Sequence, residues 1–127
     1  MAMIHILLVA FGGAVGSVCR YLTGVIMTRL LGMAFPWGTL TVNIAGSFAI
    51  GFLTELVARK LNASMEMRLL IVVGFLGGYT TFSSFSLDTI ALYERGAIVA
   101  AFGYILVSVI ISLAATFGGL AVGRAVL

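Results

Sequence analysis

Charge is what this sequence lacks most. Only seven basic and four acidic side chains occur in 127 residues, 9% of the chain, where a water-facing domain carries ~25%. A single cysteine, Cys19, excludes an intrachain disulfide and any metal site built from several thiolates. The lone histidine, His5, reads as an interfacial residue rather than a ligand. The one proline, Pro36, confines that helix breaker to a single place. Basic residues form no clustered stripe, which excludes nucleic acid as a partner. The net charge of +3 is read instead as contact with lipid headgroups. No H-E-x-x-H, nucleophile elbow or P-loop is present, so the chain offers no constellation for catalysis.

What is present is apolar. Hydrophobic residues make up 62% of the chain, an excess that a short water-facing globule has no interior to hide. Charge-free runs cover residues 1–19, 30–54, 69–87 and 96–123, with lengths of 19, 25, 19 and 28. A membrane helix needs about 20 such residues. Four spans use nearly the whole chain, so residues 1–127 read as one all-α membrane domain. The first run lacks a positively charged start, its first basic residue being Arg20. It is read as a retained helix and not a signal peptide.

The spacing predicts a first helix over about 4–31, with Gly12, Gly16, Arg20 and Gly24 four apart on one face, where small residues let a neighbour approach. The Ala34-Phe35-Pro36-Trp37-Gly38 stretch breaks it, and Trp37 suits a membrane interface. A second helix is predicted over about 39–58. The aqueous loop 59–68 follows, with Arg59, Lys60, Asn62, Ser64, Glu66 and Arg68. A third span runs over about 67–94. Gly77-Gly78 and Thr80-Thr81 lie in its middle, where paired glycines and backbone-competing threonines disfavour helix. Two half-helices joined by an unwound link over 77–81 are therefore expected. A fourth helix covers about 97–122. Carbonyls freed at the link need a ligand within the bilayer, and a small cation is a natural one.

Four spans put the N-terminus, the 59–68 loop and the C-terminus on one side, with Arg59, Lys60, Arg68 and Arg124. The other side is counted as holding Arg20, Arg29 and Arg95. Orientation normally follows a clear Lys/Arg bias, and a bias of one residue predicts insertion both ways. Four helices also give little wall for a polar route. An antiparallel homodimer, its twofold axis in the membrane plane, answers both points and resembles the inverted repeats of transporters.

Polar residues are few and aligned. Tyr104, Ser108, Ser112 and Thr116 recur four apart on the last helix, a line about 18 Å long at ~1.5 Å per residue. Thr39, Asn43 and Ser47 repeat that spacing on the second helix, and the Asn43 amide has donors suited to an anion. Phe82 and Phe85 follow the expected break, and their electropositive ring edges could face a small desolvated anion. Asp88, Glu55 and Glu94 are read near aqueous ends. No acidic residue lies at the midpoint of a charge-free run. That argues against a dual-topology multidrug carrier, which needs an ionisable group within the membrane. A second rival is a non-transporting assembly subunit, whose glycines and serines would serve only helix packing.

Three motifs carry a family resemblance over essentially the whole chain: Gly12-Gly13-x-x-Gly16-x-x-x-Arg20-Tyr21, Pro36-Trp37-Gly38-Thr39-Leu40-x-x-Asn43, and Gly74-Phe75-Leu76-Gly77-Gly78-x-Thr80-Thr81-Phe82-Ser83-x-Phe85-Ser86. They resemble the Fluc fluoride channels, the CrcB group. The resemblance implies a dual-topology homodimer in a prokaryotic cytoplasmic membrane, with two fluoride pathways and a structural sodium ion. By motif match, backbone carbonyls of Gly77 and Thr80 from both subunits would hold the sodium. Phe82 and Phe85 would line the pores, with Asn43 as the pore-facing amide. Tyr104, Ser108 and Ser112 would form the polar track, which Thr116 extends. Two positions depart from the pattern. Tyr79 stands where a smaller aliphatic residue is common, and Asp88 where many members carry Glu.

Overall fold

The computed structural model describes residues 2–61 and 64–127. Asn62, expected in the aqueous loop, lies outside the described residues, as does the Lys60 side chain. Among the described residues all regular structure is helical: α1 (Met3–Leu31), α2 (Trp37–Leu56), α3 (Met65–Arg68), α4 (Gly77–Tyr79), α5 (Phe82–Glu94) and α6 (Ile98–Val126). Wider π-helical turns extend α2 through Val57–Leu61 and join α3 to α4 through Leu69–Leu76. The described residues thus hold four helical stretches long and apolar enough to cross a membrane, Met3–Leu31, Trp37–Arg59, Met65–Glu94 and Ile98–Val126. The loop expected over 59–68 is shorter than that, because helix reaches Leu61 and resumes at Met65. Ser64 caps the restart by accepting from the Met67 N–H at 3.2 Å.

Chain reversals use local chemistry. Gly32, at φ +84°, ends α1 while its N–H donates to the Thr28 carbonyl at 2.8 Å. Gly96, at φ +88°, closes α5: its N–H donates to Tyr93 at 3.0 Å, and that of Ala97 to Leu92 at 2.9 Å. This is the paired bonding of a Schellman stop, which needs a left-handed residue such as glycine. The Arg95 guanidinium donates to the Ala34 carbonyl at the same end of the bundle. At the opposite end Glu55 accepts from Arg59 Nε and from Arg124 Nε, each at 2.8 Å, and His5 Nε2 lies 3.6 Å from Glu66. Helix order is therefore up, down, up, down.

Glycine faces set the packing. Gly12 and Gly16 are buried, and a methyl on either would overlap a main-chain oxygen of the third span, that of Leu70 or Phe75. The next residue on that face, Arg20, donates from Nε to the Gly78 carbonyl at 3.0 Å. Arg20 stands eleven residues before the end of α1, about 16 Å at ~1.5 Å per residue. The charge count changes accordingly. Arg20 belongs to the middle of the bundle and not to a loop, which leaves four flanking basic residues against two. Gly51 and Gly119 bring α2 and α6 together just as closely. A small core of Leu40, Leu92, Ala101 and Tyr104 sits near the reversal end.

In the third span Gly77 and Gly78 are helical, although the sequence marked them as part of the unwound link. Extended backbone is confined to Thr80 (φ −85°, ψ 158°) and Thr81 (φ −153°, ψ 125°). The glycines have a packing task instead, since a methyl on Gly78 would strike Gly13 of α1. The two β-branched residues, with their preference for extended backbone, occupy the non-helical step.

Candidate functional site

Between α2, α6 and the Thr80–Thr81 step lies an open cavity of about 480 Å³. Asn43, Ser47, Gly77, Thr80, Phe82, Phe85, Ser108 and Ser112 line it. Tyr104 and Thr116, expected on the same track, do not. Tyr104 is fully buried behind Phe85, ring centroids 5.2 Å apart, and its hydroxyl donates to Asp88 Oδ2 at 3.3 Å. The Thr116 hydroxyl reaches the carbonyls of Ser47 and Ser112, at 3.1 and 3.2 Å, and ties α6 to α2.

Hydroxyl chemistry sets one lining residue apart. Thr23, Thr54, Thr80, Ser86 and Thr89 each donate to the carbonyl four residues earlier, the usual way a helix absorbs a hydroxyl. Ser108 does not. It is 7% exposed, and its Oγ is the one buried side-chain polar atom among the described residues without a hydrogen-bond partner. Burying a donor unpaired costs about 1–3 kcal/mol, so such a group needs an explanation. Phe82 and Phe85 line the same cavity, centroids 5.5 Å apart, and Phe82 is 77% exposed.

Asn43 has a different partner from the one its chemistry suggested. Its Nδ2 donates to the Thr81 carbonyl and its Oδ1 accepts from the Thr81 N–H, both at 2.8 Å. The amide thus replaces the backbone bonds that the extended step forgoes, leaving one N–H for the cavity it lines. Thr81 Oγ1 accepts from the Ser84 N–H at 3.1 Å and caps α5. The polar line on α2 is split: Ser47 faces this cavity, while Thr39 faces a second one of about 700 Å³ with Arg20, Arg29, Arg95 and Asp88.

Around the step the Leu76 carbonyl accepts from the N–H and hydroxyl of Thr80, that of Gly78 from Arg20, and that of Thr81 from Asn43. The carbonyls of Gly77 and Thr80 have no donor among the described residues. No group of three His, Cys, Asp or Glu side chains able to hold a metal occurs among the described residues.

A family model described as "CrcB-like protein, Camphor Resistance (CrcB)" matches residues 7–120. The chain belongs to the CrcB family. A relative from Agrobacterium fabrum is 66% identical over 122 residues, 96% of this chain and 98% of its own. One from Rhizobium etli is 62% identical over 97% of this chain and 98% of its own. One from Chelativorans sp. is 55% identical over 98% of this chain and its own full length. All three carry the name "Fluoride-specific ion channel FluC". CrcB membership places the chain among transport proteins and not enzymes.

Within this CrcB chain the two unusual residues have definite contacts. The Tyr79 ring stacks on Phe75 at 5.9 Å, and its hydroxyl lies 3.1 Å from Thr23 Oγ1, which donates to the Cys19 carbonyl. Tyr79 thereby fastens the residue before the extended step to α1. Asp88 accepts from Tyr104 and is shared between the aromatic core and the larger cavity. The Arg20–Gly78 bond went unread because arginine at a helix-face position looks, in sequence, like a membrane-end residue. Of the two Glu55 ion pairs, that with Arg59 is four residues apart on one helix, whereas that with Arg124, 69 residues away, is a long-range contact that periodicity does not encode.

Proposed function

We propose that this chain is a passive fluoride-selective channel of the prokaryotic cytoplasmic membrane, working as an antiparallel homodimer that lets fluoride leave the cell. The observation that carries the reading is the unpartnered Ser108 hydroxyl, nine-tenths buried, in a cavity shared with Ser112, Ser47 and two phenylalanines. Fluoride is small and strongly hydrated, and a selective route must replace its water with donors, as carbonyls replace the shell of potassium in its filters. Serine hydroxyls, the free Asn43 N–H and aromatic ring edges are such donors. The names of the relatives point to the same ion. In support of a second copy, the cavity is open, and its lining includes the exposed apolar side chains of Phe82, Val109 and Leu113.

A structural sodium at the dimer axis belongs to the same proposal. The free carbonyls of Gly77 and Thr80 would hold it, and no carboxylate is needed. Its charge would offset two sets of carbonyl dipoles facing each other in lipid.

Reconstitution into liposomes with a fluoride electrode tests the reading. Fluoride efflux well above empty vesicles, with chloride retained, is expected; equal leak of both ions, or none, overturns it. Exchange of sodium for a large organic cation during purification is expected to impair efflux. Full activity without sodium would remove that part.

A further inference from the structure

We propose that the hydroxyl route crosses from α6 to α2, so that Ser47, and not Thr116, follows Ser112 as a fluoride-contacting residue. The inference rests on the channel reading above. The four-residue repeat on α6 continues from Ser108 and Ser112 to Thr116, and simple extrapolation keeps the route on α6. A hydroxyl has one proton to donate, however, and that of Thr116 is directed to the Ser47 and Ser112 carbonyls, at 3.1 and 3.2 Å. It has no donor left for an anion, and it does not line the cavity.

The same bond holds the Ser47 backbone against α6 beside Ser112, and Ser47 lines the cavity with Ser108 and Ser112. Glycines keep the two helices at main-chain contact here: a methyl on Gly51 would meet the Thr116 carbonyl, and one on Gly119 that of Phe48. A donor on α2 is therefore as near the cavity as one on α6. Independently, the buried Ser108 hydroxyl without a partner marks this cavity as made for a guest that accepts hydrogen bonds. Thr116 acts as the interhelical tie that places Ser47.

Liposome fluoride efflux with Ser47→Ala, Ser112→Ala and Thr116→Val decides between the two helices. Ser47→Ala is expected to lower efflux about two- to tenfold, as one lost donor bond predicts, alongside Ser112→Ala. Thr116→Val is expected to lower thermal stability while efflux per folded protein stays close to wild type, and Ser47→Thr, which keeps the hydroxyl, to restore transport. Wild-type efflux in Ser47→Ala with a loss in Ser112→Ala overturns the proposal, as does loss of efflux in Thr116→Val alone. A silent wild-type protein is a separate result, which removes the channel reading and this one with it. Where Ser47→Ala does not fold, Ser47→Cys in a Cys19→Ser background serves: a small thiosulfonate reagent must block efflux, and full modification without block refutes the assignment.

Discussion

The Asn43 amide has one acceptor and two donors, and Thr81 takes the acceptor and one donor at 2.8 Å each. Removing this side chain strands the Thr81 N–H and C=O at a non-helical step within the span. Asn43→Ala is therefore expected to cost about 2 kcal/mol or more of stability, at ~1 kcal/mol or more per bond, and to lower transport together with stability. Thermal unfolding in detergent measures the first effect and liposome efflux the second; a stable Asn43→Ala protein with lost flux would return Asn43 to a purely solute-facing role. The sequence made Asn43 conspicuous as the amide of its span, but not its partner. That partner lies 38 residues away, and the pairing depends on the extended backbone at Thr81. Ser108 and Ser112 were legible because their spacing alone puts them on one line. Thr116 shares that spacing, and its diversion to two carbonyls appears only once α2 lies beside it.

At the scale of elements, each charge-free run overlaps one of the four helical stretches long and apolar enough to cross a membrane among the described residues. The π-helical turns over Leu69–Leu76 were not legible, since no local residue choice separates them from an ordinary helix. Gly77 and Gly78 show why composition misplaces a break. Glycine lowers helix propensity, yet it also permits the main-chain contact that holds Gly78 against Gly13. The α1 face is the more instructive case, because four-residue spacing alone predicted a contact surface there. Gly16→Ala would press a methyl into the Phe75 carbonyl, and overpacking of this kind costs about 1–3 kcal/mol. A lower unfolding temperature and less folded protein are expected for Gly16→Ala, while Gly103→Ala, facing open space, should leave both unchanged. Equal tolerance at the two sites would mean that α1 does not pack on the third span as described.

For the whole molecule, insertion depends on which charges flank the spans. Arg20 is bonded to Gly78 in the middle of the bundle, so it should not count toward the bias that orients the chain. Substituting Arg29 or Arg95 by Gln is expected to change the proportion of C-terminal tags on each side of the membrane, whereas Arg20→Gln should lower stability without moving that proportion. A shift with Arg20→Gln as large as with Arg29→Gln would place Arg20 back in the interface. The two-residue extended step has one more consequence, which concerns register. Each helical residue turns the chain by ~100°, so one residue added or removed at Thr80–Thr81 would screw α5 around its axis and carry Phe82 and Phe85 off the cavity wall. Residue exchange can tune this molecule at many points, but the length of that joint is a fixed dimension, as in a two-part key whose halves must stay in phase.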